Sequence, residues 1–274
     1  MRSRRGAGFT GRPPEGRDGW TAFGLLNEQA LRLACRHELG KRSSMRTIGL
    51  IGGLSWESTV IYYQIINQRV RERLGGSHSA NSLIWSVDYT TVEELIFADR
   101  WEEVSRLLAG AGRRLEDLGA DLLLICSNTF NRVSGDVERA VSVPVLHIAD
   151  ALGAAIKARG MRKVGLLGTR FTMEQPFYRE RLAAHGLEVV VPRREQRELV
   201  HRVIFDELVR GVLRESSRDA YARIIDDLAA EGAEGVVLGC TEIELLISGK
   251  DSAVPVLPSA RLHAEAAAGF ALAD

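Results

Sequence analysis

The sequence predicts an α/β protein of two pseudo-symmetric lobes, each a parallel sheet flanked by helices, with an active site in the cleft between them. Three observations carry this. Short unbroken apolar runs alternate with longer amphipathic segments, the alternation keeps a regular pitch, and the second half of the pattern repeats the first. Strands covered on both faces read as continuous apolar runs, and the helices between them supply the covers. A chain of 274 residues can bury a substantial core. No apolar run reaches the ~20 residues that cross a bilayer, so a membrane span is not expected. The 36 basic and 36 acidic residues cancel, but nine basic and four acidic ones fall in 1–44, leaving residues 45–274 at −5. That balance offers no reason to expect a nucleic-acid partner. Three cysteines, Cys35, Cys126 and Cys240, cannot form a disulfide framework, and no signal peptide is legible. Free thiols in a cytoplasmic setting are the expectation.

Residues 1–44 read differently from the rest. Met1–Gly19 is rich in Arg, Gly and Pro with little to bury, which favours disorder. Phe23–Leu39 carries Leu25, Leu26, Leu31 and Leu33 at spacings that suit one short amphipathic helix. The segment is neither acid-free nor strongly amphipathic, which favours an upstream extension over an Arg-rich targeting arm. From Met45 onward, strands are expected at Thr47–Ile51, Ser82–Val87, Leu122–Ile125, Val143–Ile148, Lys163–Leu167, Leu187–Val191, Gly235–Leu238 and Val254–Leu257. Helices are expected at Val60–Leu74, Trp101–Leu118, Ala149–Arg159, Phe177–His185, Glu195–Leu213 and Asp219–Glu231. A final helical segment, His263–Ala273, is expected to return to the first lobe. The lobes are therefore drawn as 45–147 plus 258–274, and 148–257, preceded by the 1–44 extension.

The repeat is collinear. Thr47–Gly53 echoes Lys163–Thr169, Tyr62-Tyr63 is answered by Phe177-Tyr178, Gly119–Asn128 by Gly232–Thr241, and Val143–Leu146 by Val254–Leu257. Resemblance among α/β strands in general is the alternative, but four echoes in one order favour two homologous halves.

Ligands of open parallel sheets bind beyond the carboxyl ends of the strands, so polar residues that follow apolar runs are the candidates. The repeat aligns two such stretches, Cys126-Ser127-Asn128-Thr129 and Gly239-Cys240-Thr241-Glu242. Facing each other about a pseudo-twofold axis, they would hold a carbon acid that is deprotonated on one face and reprotonated on the other. A thiol suits that work, since neighbouring dipoles and donors can lower its usual pKa of ~8.5. A lone cysteine after a strand is ordinarily a small buried hydrophobe; two at mirrored strand ends, each followed by polar groups, read as a site.

These stretches, with Ile48–Thr59 (IGLIGGLSWEST), Leu146–Asp150 (LHIAD), Leu167–Gln175 (LGTRFTMEQ) and Gly239–Ile243 (GCTEI), resemble the aspartate/glutamate racemase family of the Asp/Glu/hydantoin racemase superfamily. The resemblance runs from Met45 to the C-terminus and is closest to the broad L-aspartate/glutamate-specific group. It implies a cofactor-independent amino-acid racemase acting on L-aspartate and/or L-glutamate, with a small-molecule amino-acid substrate and a homodimeric state. Glu242 after Cys-Thr is similar to the aspartate branch, where glutamate racemases carry His.

One departure matters. Most aspartate racemases place a cysteine directly before Asn-Thr, where this chain has Ser127. Cys126 lies one residue earlier, and a one-residue shift in a strand turns a side chain to the opposite face. The family's first acid/base position therefore falls on Ser127 and the second on Cys240, with Cys126 expected inside the sheet. A hydroxyl is the weaker base, so turnover should favour one enantiomer, the L form. By resemblance, Leu54, Ser127, Asn128, Thr129, Thr241 and Glu242 contact substrate, with the Gly53–Ser55 turn beside them. Glu242 would orient Cys240 or bind the ammonium group, or serve only as a carboxylate at a helix N-terminus. Arg210 and Arg170 are weaker candidates for a second carboxylate, and Ile96 falls where relatives carry a polar contact. His78, His147, His185, His201 and His263 lack metal-ligand spacing, so no metal is expected. Other readings stay open: maleate isomerase, decarboxylase, hydantoin racemase, or an amino-acid-binding protein without catalysis. Ile48–Gly53 lacks the G-x-G-x-x-G spacing of a dinucleotide site.

Overall fold

The computed structural model describes residues 45–273; the helix expected over Phe23–Leu39 lies outside them. Eight strands alternate with helices and form two four-stranded parallel sheets. In the first sheet, β1 (Ile48–Gly52), β2 (Ser82–Ser86), β3 (Leu122–Ile125) and β4 (Val145–Leu146) lie in the order β2-β1-β3-β4. In the second, β5 (Lys163–Gly168), β6 (Glu188–Val190), β7 (Val236–Gly239) and β8 (Val256–Pro258) lie in the order β6-β5-β7-β8. The two orders are the same once the numbering is shifted, so each lobe repeats the other's topology. The central strands β1, β3 and β7 are buried along their whole length, which is why they appear in the sequence as unbroken apolar runs.

Helices cover the sheets: α1 (Trp56–Leu74), α2 (Tyr89–Phe97), α3 (Trp101–Asp117), α4 (Ser134–Ala140) and α5 (Ile148–Ala158) precede β5. Then come α6 (Arg170–Glu174), α7 (Pro176–Ala184), α8 (Arg194–Asp206), α9 (Glu215–Ala230), α10 (Ile243–Leu246) and α11 (Ser259–Ala271). On α3, Val104, Leu108, Ala111 and Leu115 recur at helical spacing and are buried with Ile51, Leu123 and Ile125 of the first sheet. On α9, Tyr221, Ile224, Ile225 and Leu228 do the same against Val236 and Leu238. The last helix, α11, buries Ala260, Ala264, Ala267, Ala268 and Ala271 among Ile48, Leu50, Tyr62 and Ile66. Alanines let its backbone approach closely. From the same helix Leu262 enters the core of the second lobe with Val237 and Leu257.

The short helices α4, α6 and α10 lie outside the expected helices, and three further differences have a local cause. The strand expected over Val143–Ile148 shrinks to Val145–Leu146, because Pro144 has no N–H and His147 already caps α5, its Nδ1 accepting from the Ala149 amide at 3.0 Å. The single helix expected over Glu195–Leu213 ends at Asp206; a 3-10 turn (Leu208–Arg210) follows, and Gly211 closes it with φ +71°. Helix α2 is an addition, capped by the Asp88 carboxylate at the Thr90 amide (3.3 Å), with Val92 and Ile96 on its buried face.

Candidate active site

Four strand ends converge. The residues after β1, β3, β5 and β7 supply Leu54–Ser58, Ser127–Phe130, Thr169 with Phe171, and Gly239–Glu242 to the wall of one cavity of about 210 Å³. The turn after β1 requires glycine. Gly53 has φ +77°, and a Cβ there would stand 2.0 Å from the Val87 carbonyl oxygen. Ser55 follows with φ 76°, a left-handed conformation that a non-glycine residue enters at a cost of about 1–2 kcal/mol. Its hydroxyl caps α1, accepting from the Ser58 amide at 3.3 Å, and is thereby turned toward the cavity.

Hydrogen bonds tie each strand-end tetrapeptide to the opposite lobe. Thr241 Oγ1 meets Ser58 Oγ at 2.6 Å, and the Tyr178 hydroxyl donates to Asn128 Oδ1 at 2.9 Å. Under the repeat Thr241 and Asn128 are counterparts, so the same strand-end position reaches across in each half, through partners, Ser58 and Tyr178, that are not themselves counterparts. One position further on, Thr129 Oγ1 meets Thr169 Oγ1 at 3.0 Å, and Ser55 Oγ donates to Glu242 Oε1 at 3.3 Å. Thr169 and Ser55 are the N-caps of α6 and α1, so these contacts mirror each other as well.

Ser127 and Cys240 both line the cavity, whereas Cys126 points into the core among Ile48, Leu50 and Leu124, where burial pushes its thiol well up. Cys240 Sγ donates to Glu242 Oε2 at 2.8 Å, and Thr241 Oγ1 donates to the same oxygen at 2.9 Å. Glu242 makes no side-chain cap at the start of α10; its carboxylate is committed to Cys240, Thr241 and Ser55. The expectation that neighbours lower the Cys240 thiol is corrected here. Burial, and then the adjacent Glu242 carboxylate as negative charge and acceptor, raise it well above the ordinary thiol range.

Gly53 lies under Val87 and does not reach the cavity, while Leu54 and Ser55 do. Arg210 is exposed on the 3-10 turn and Arg170 is exposed with its guanidinium 5.8 Å from the Phe171 ring; neither lines the cavity. His147 serves as the α5 cap, and burial together with Arg181 pushes its pKa down to about 3.

A profile of the Asp/Glu/Hydantoin racemase family matches residues 51–267. The chain belongs to this family. The broad specificity amino-acid racemase RacX of Bacillus subtilis (strain 168) is 22% identical over 232 residues, 82% of this chain and 98% of that protein. A putative Asp/Glu racemase from Yersinia pestis superposes with TM-score 0.81 at 48% identity, covering 84% of this chain and all of its own. An aspartate racemase homologue from Pyrococcus horikoshii OT3 superposes with TM-score 0.73 at 39% identity, covering 83% of this chain and 99% of its own. These relatives are named racemases, which are isomerases, and the family supports amino-acid racemase activity.

Several groups around this racemase-family cleft carry no signal of their own in the sequence. Tyr62 reaches the cavity from α1, and its hydroxyl pairs with His263 Nδ1 at 2.8 Å while His263 Nε2 donates to the Leu146 carbonyl at 2.9 Å. The tautomer follows from that carbonyl, and burial lowers the His263 pKa to about 4. Glu244, one turn beyond Cys240, has its pKa raised to about 7 by burial, with Arg261 opposing and Glu242 adding to the rise. The repeat of Tyr62-Tyr63 in Phe177-Tyr178 was the one hint that paired phenols stand behind the site.

Proposed function

We propose that the protein is an amino-acid racemase that moves a proton across the two faces of a bound α-carbon, with Cys240 on one face and Ser127 on the other. The carrying observation is that the two repeat-related strand ends open on one cavity and each is latched to the opposite lobe. Cys240 must lose its proton before it can act as a base, and Glu242 Oε2 at 2.8 Å is the acceptor in contact with it. Transfer from Sγ to Oε2 leaves a thiolate and a neutral carboxyl, with the charge of the pair unchanged. The thiolate then takes the α-proton, the Ser127 hydroxyl delivers a proton to the other face as its oxygen takes one from solvent, and Glu242 returns its proton to solvent, so each group ends as it began. Asn128, Thr129 and Thr241 hold the α-carboxylate, which acidifies the α-carbon by keeping developing negative charge near donors. Since an alkoxide is far less accessible than a thiolate, the α-proton on the Cys240 face exchanges faster, and by resemblance the L enantiomer presents it there. Within this reading the lobes comprise 45–147 with 258–274, and 148–257.

The acidic side chain implied by the sequence resemblance needs a cationic partner, and among the described residues no Arg or Lys lines the cavity. The test of the racemase reading is exchange of the α-proton in deuterated water, followed by NMR for L and D forms of the common amino acids. Exchange that Cys240→Ala abolishes is the expected result. Saturable thermal stabilisation by an amino acid without any exchange would instead identify a binding protein.

A further inference from the structure

Resting on the racemase reading of the cleft, we infer that the substrate's side chain is neutral and aliphatic, of the size of leucine or methionine, and not a carboxylate. The wall contributed away from the strand-end donors consists of Ile96, Phe130, Phe171, Ile204, Phe205 and Val209. Ile96, Phe130, Phe171 and Ile204 are buried; Phe130 and Phe171 both pack on the Trp101 ring, and Phe205 packs on His201. A carboxylate set against this wall is stripped of water, and among the described residues no cationic side chain lines the cavity to pair it, an arrangement that costs heavily.

Charges near the wall point the same way. Among the described residues, the acidic side chains Glu57 and Glu242 line the cavity and no basic one does. The guanidinium groups that neighbour the wall in sequence, Arg132 and Arg170, do not line the cavity. Arg132 stacks on Trp101 at 4.1 Å, and that ring in turn packs on Phe130 and Phe171. Arg132 faces a separate surface hollow shared with Glu102, Ser105 and Asp136. A negative rim attracts the substrate's ammonium group and repels a side-chain carboxylate.

Size sets the upper limit. An apolar cavity of ~150 Å³ holds benzene, roughly 25 Å³ for each of its ring atoms. On that scale the cleft's 210 Å³ admits about eight non-hydrogen atoms, near the nine of leucine or methionine. Aspartate has nine as well, so volume does not separate them; charge and the apolar wall do.

The experiment measures α-proton exchange in deuterated water for L-Leu, L-Met, L-Asp, L-Glu and L-Lys with the wild type and Val209→Arg. Val209 is 44% exposed at the mouth, so the substitution leaves the core intact. We expect kcat/KM for Leu and Met to exceed that for Asp and Glu by at least about 100-fold, and Val209→Arg to narrow the ratio by about tenfold. Asp, Glu or Lys equal to or faster than Leu overturns the inference while leaving the racemase reading in place. No exchange from any amino acid overturns the racemase reading; thermal stabilisation by the same five ligands then judges the pocket alone, with Leu and Met above Asp and Glu supporting it and the reverse order refuting it.

Discussion

Replacing Tyr178 by Phe removes one hydroxyl and nothing else from a fully buried position. That hydroxyl donates to Asn128 Oδ1 at 2.9 Å, and Asn128 is itself only 6% exposed, so no water is at hand to replace the lost donor. Leaving a buried acceptor unpaired costs about 1–3 kcal/mol. In a unit of this size each kcal/mol lowers Tm by roughly 2–4 °C, so a drop of about 2–12 °C is expected in calorimetry. Function moves too. An Asn128 amide without its anchor rotates to find another donor, so its grip on the substrate α-carboxylate weakens and KM rises more than kcat falls. A double-mutant cycle with Asn128→Ala should return a coupling of about 1–2 kcal/mol, because each single change leaves the partner's polar atom stranded. Unchanged Tm with zero coupling would refute the cross-lobe latch and the positioning argument built on it.

Three more outcomes follow from the same geometry. His263 holds its pKa near 4 in the folded state against 6.5 unperturbed, so the folded protein resists protonation and stability is lost as pH falls from about 6.5 to 4; that loss is on the order of 3 kcal/mol. His263→Gln, whose amide can serve both Leu146 and Tyr62, should shift the acid-unfolding midpoint to lower pH, and an unmoved midpoint counts against the assignment. Glu244, raised to about 7, has the opposite sign, since its folded form keeps the proton and stability declines as pH rises from about 4.5 to 7. Glu244→Gln should therefore stabilise by on the order of 2–3 kcal/mol at pH 8 and by nothing near pH 4, as read by denaturant titration. Ser127→Cys should raise α-proton exchange from the D enantiomer at least about tenfold, since a thiol is the better base on that face; equal D-form rates in both proteins would sink the two-face assignment.

What was legible in the sequence is what local pattern controls. Strands such as Leu122–Ile125 and Val236–Gly239 are buried on both faces, so no polar residue interrupts them, and all eight strands lie within the expected segments or one residue beyond them. The strand-end pair Ser127 and Cys240 was visible because the repeat aligns it. The wall opposite was not. Ile96 alone was marked, by resemblance; Phe171 and Ile204 sit on separate helices, where an apolar residue looks the same whether it faces a core or a ligand. Helix α2 was missed although Asp88 supplies its cap and Val92 and Ile96 its spacing, because Thr90 and Thr91 dilute the helical pattern. The upward push on the Cys240 thiol was beyond reach for another reason. It comes first from burial by the surrounding fold and then from Glu242, whose carboxylate Ser55 of the other lobe also contacts, and no local rule couples residues so distant in sequence.

The alanine-lined helix that closes over β1 and β3 comes from Ser259–Ala271, yet the sheet it covers is complete by Leu146. During synthesis the early sheet must therefore wait, one side covered by α1 alone, until more than a hundred further residues have left the ribosome. The later lobe has no such delay, since its strands and their covers are made together. Assembly should accordingly run from back to front, and any extension fused after Ala271 would act on the earliest-made half of the molecule rather than the nearest.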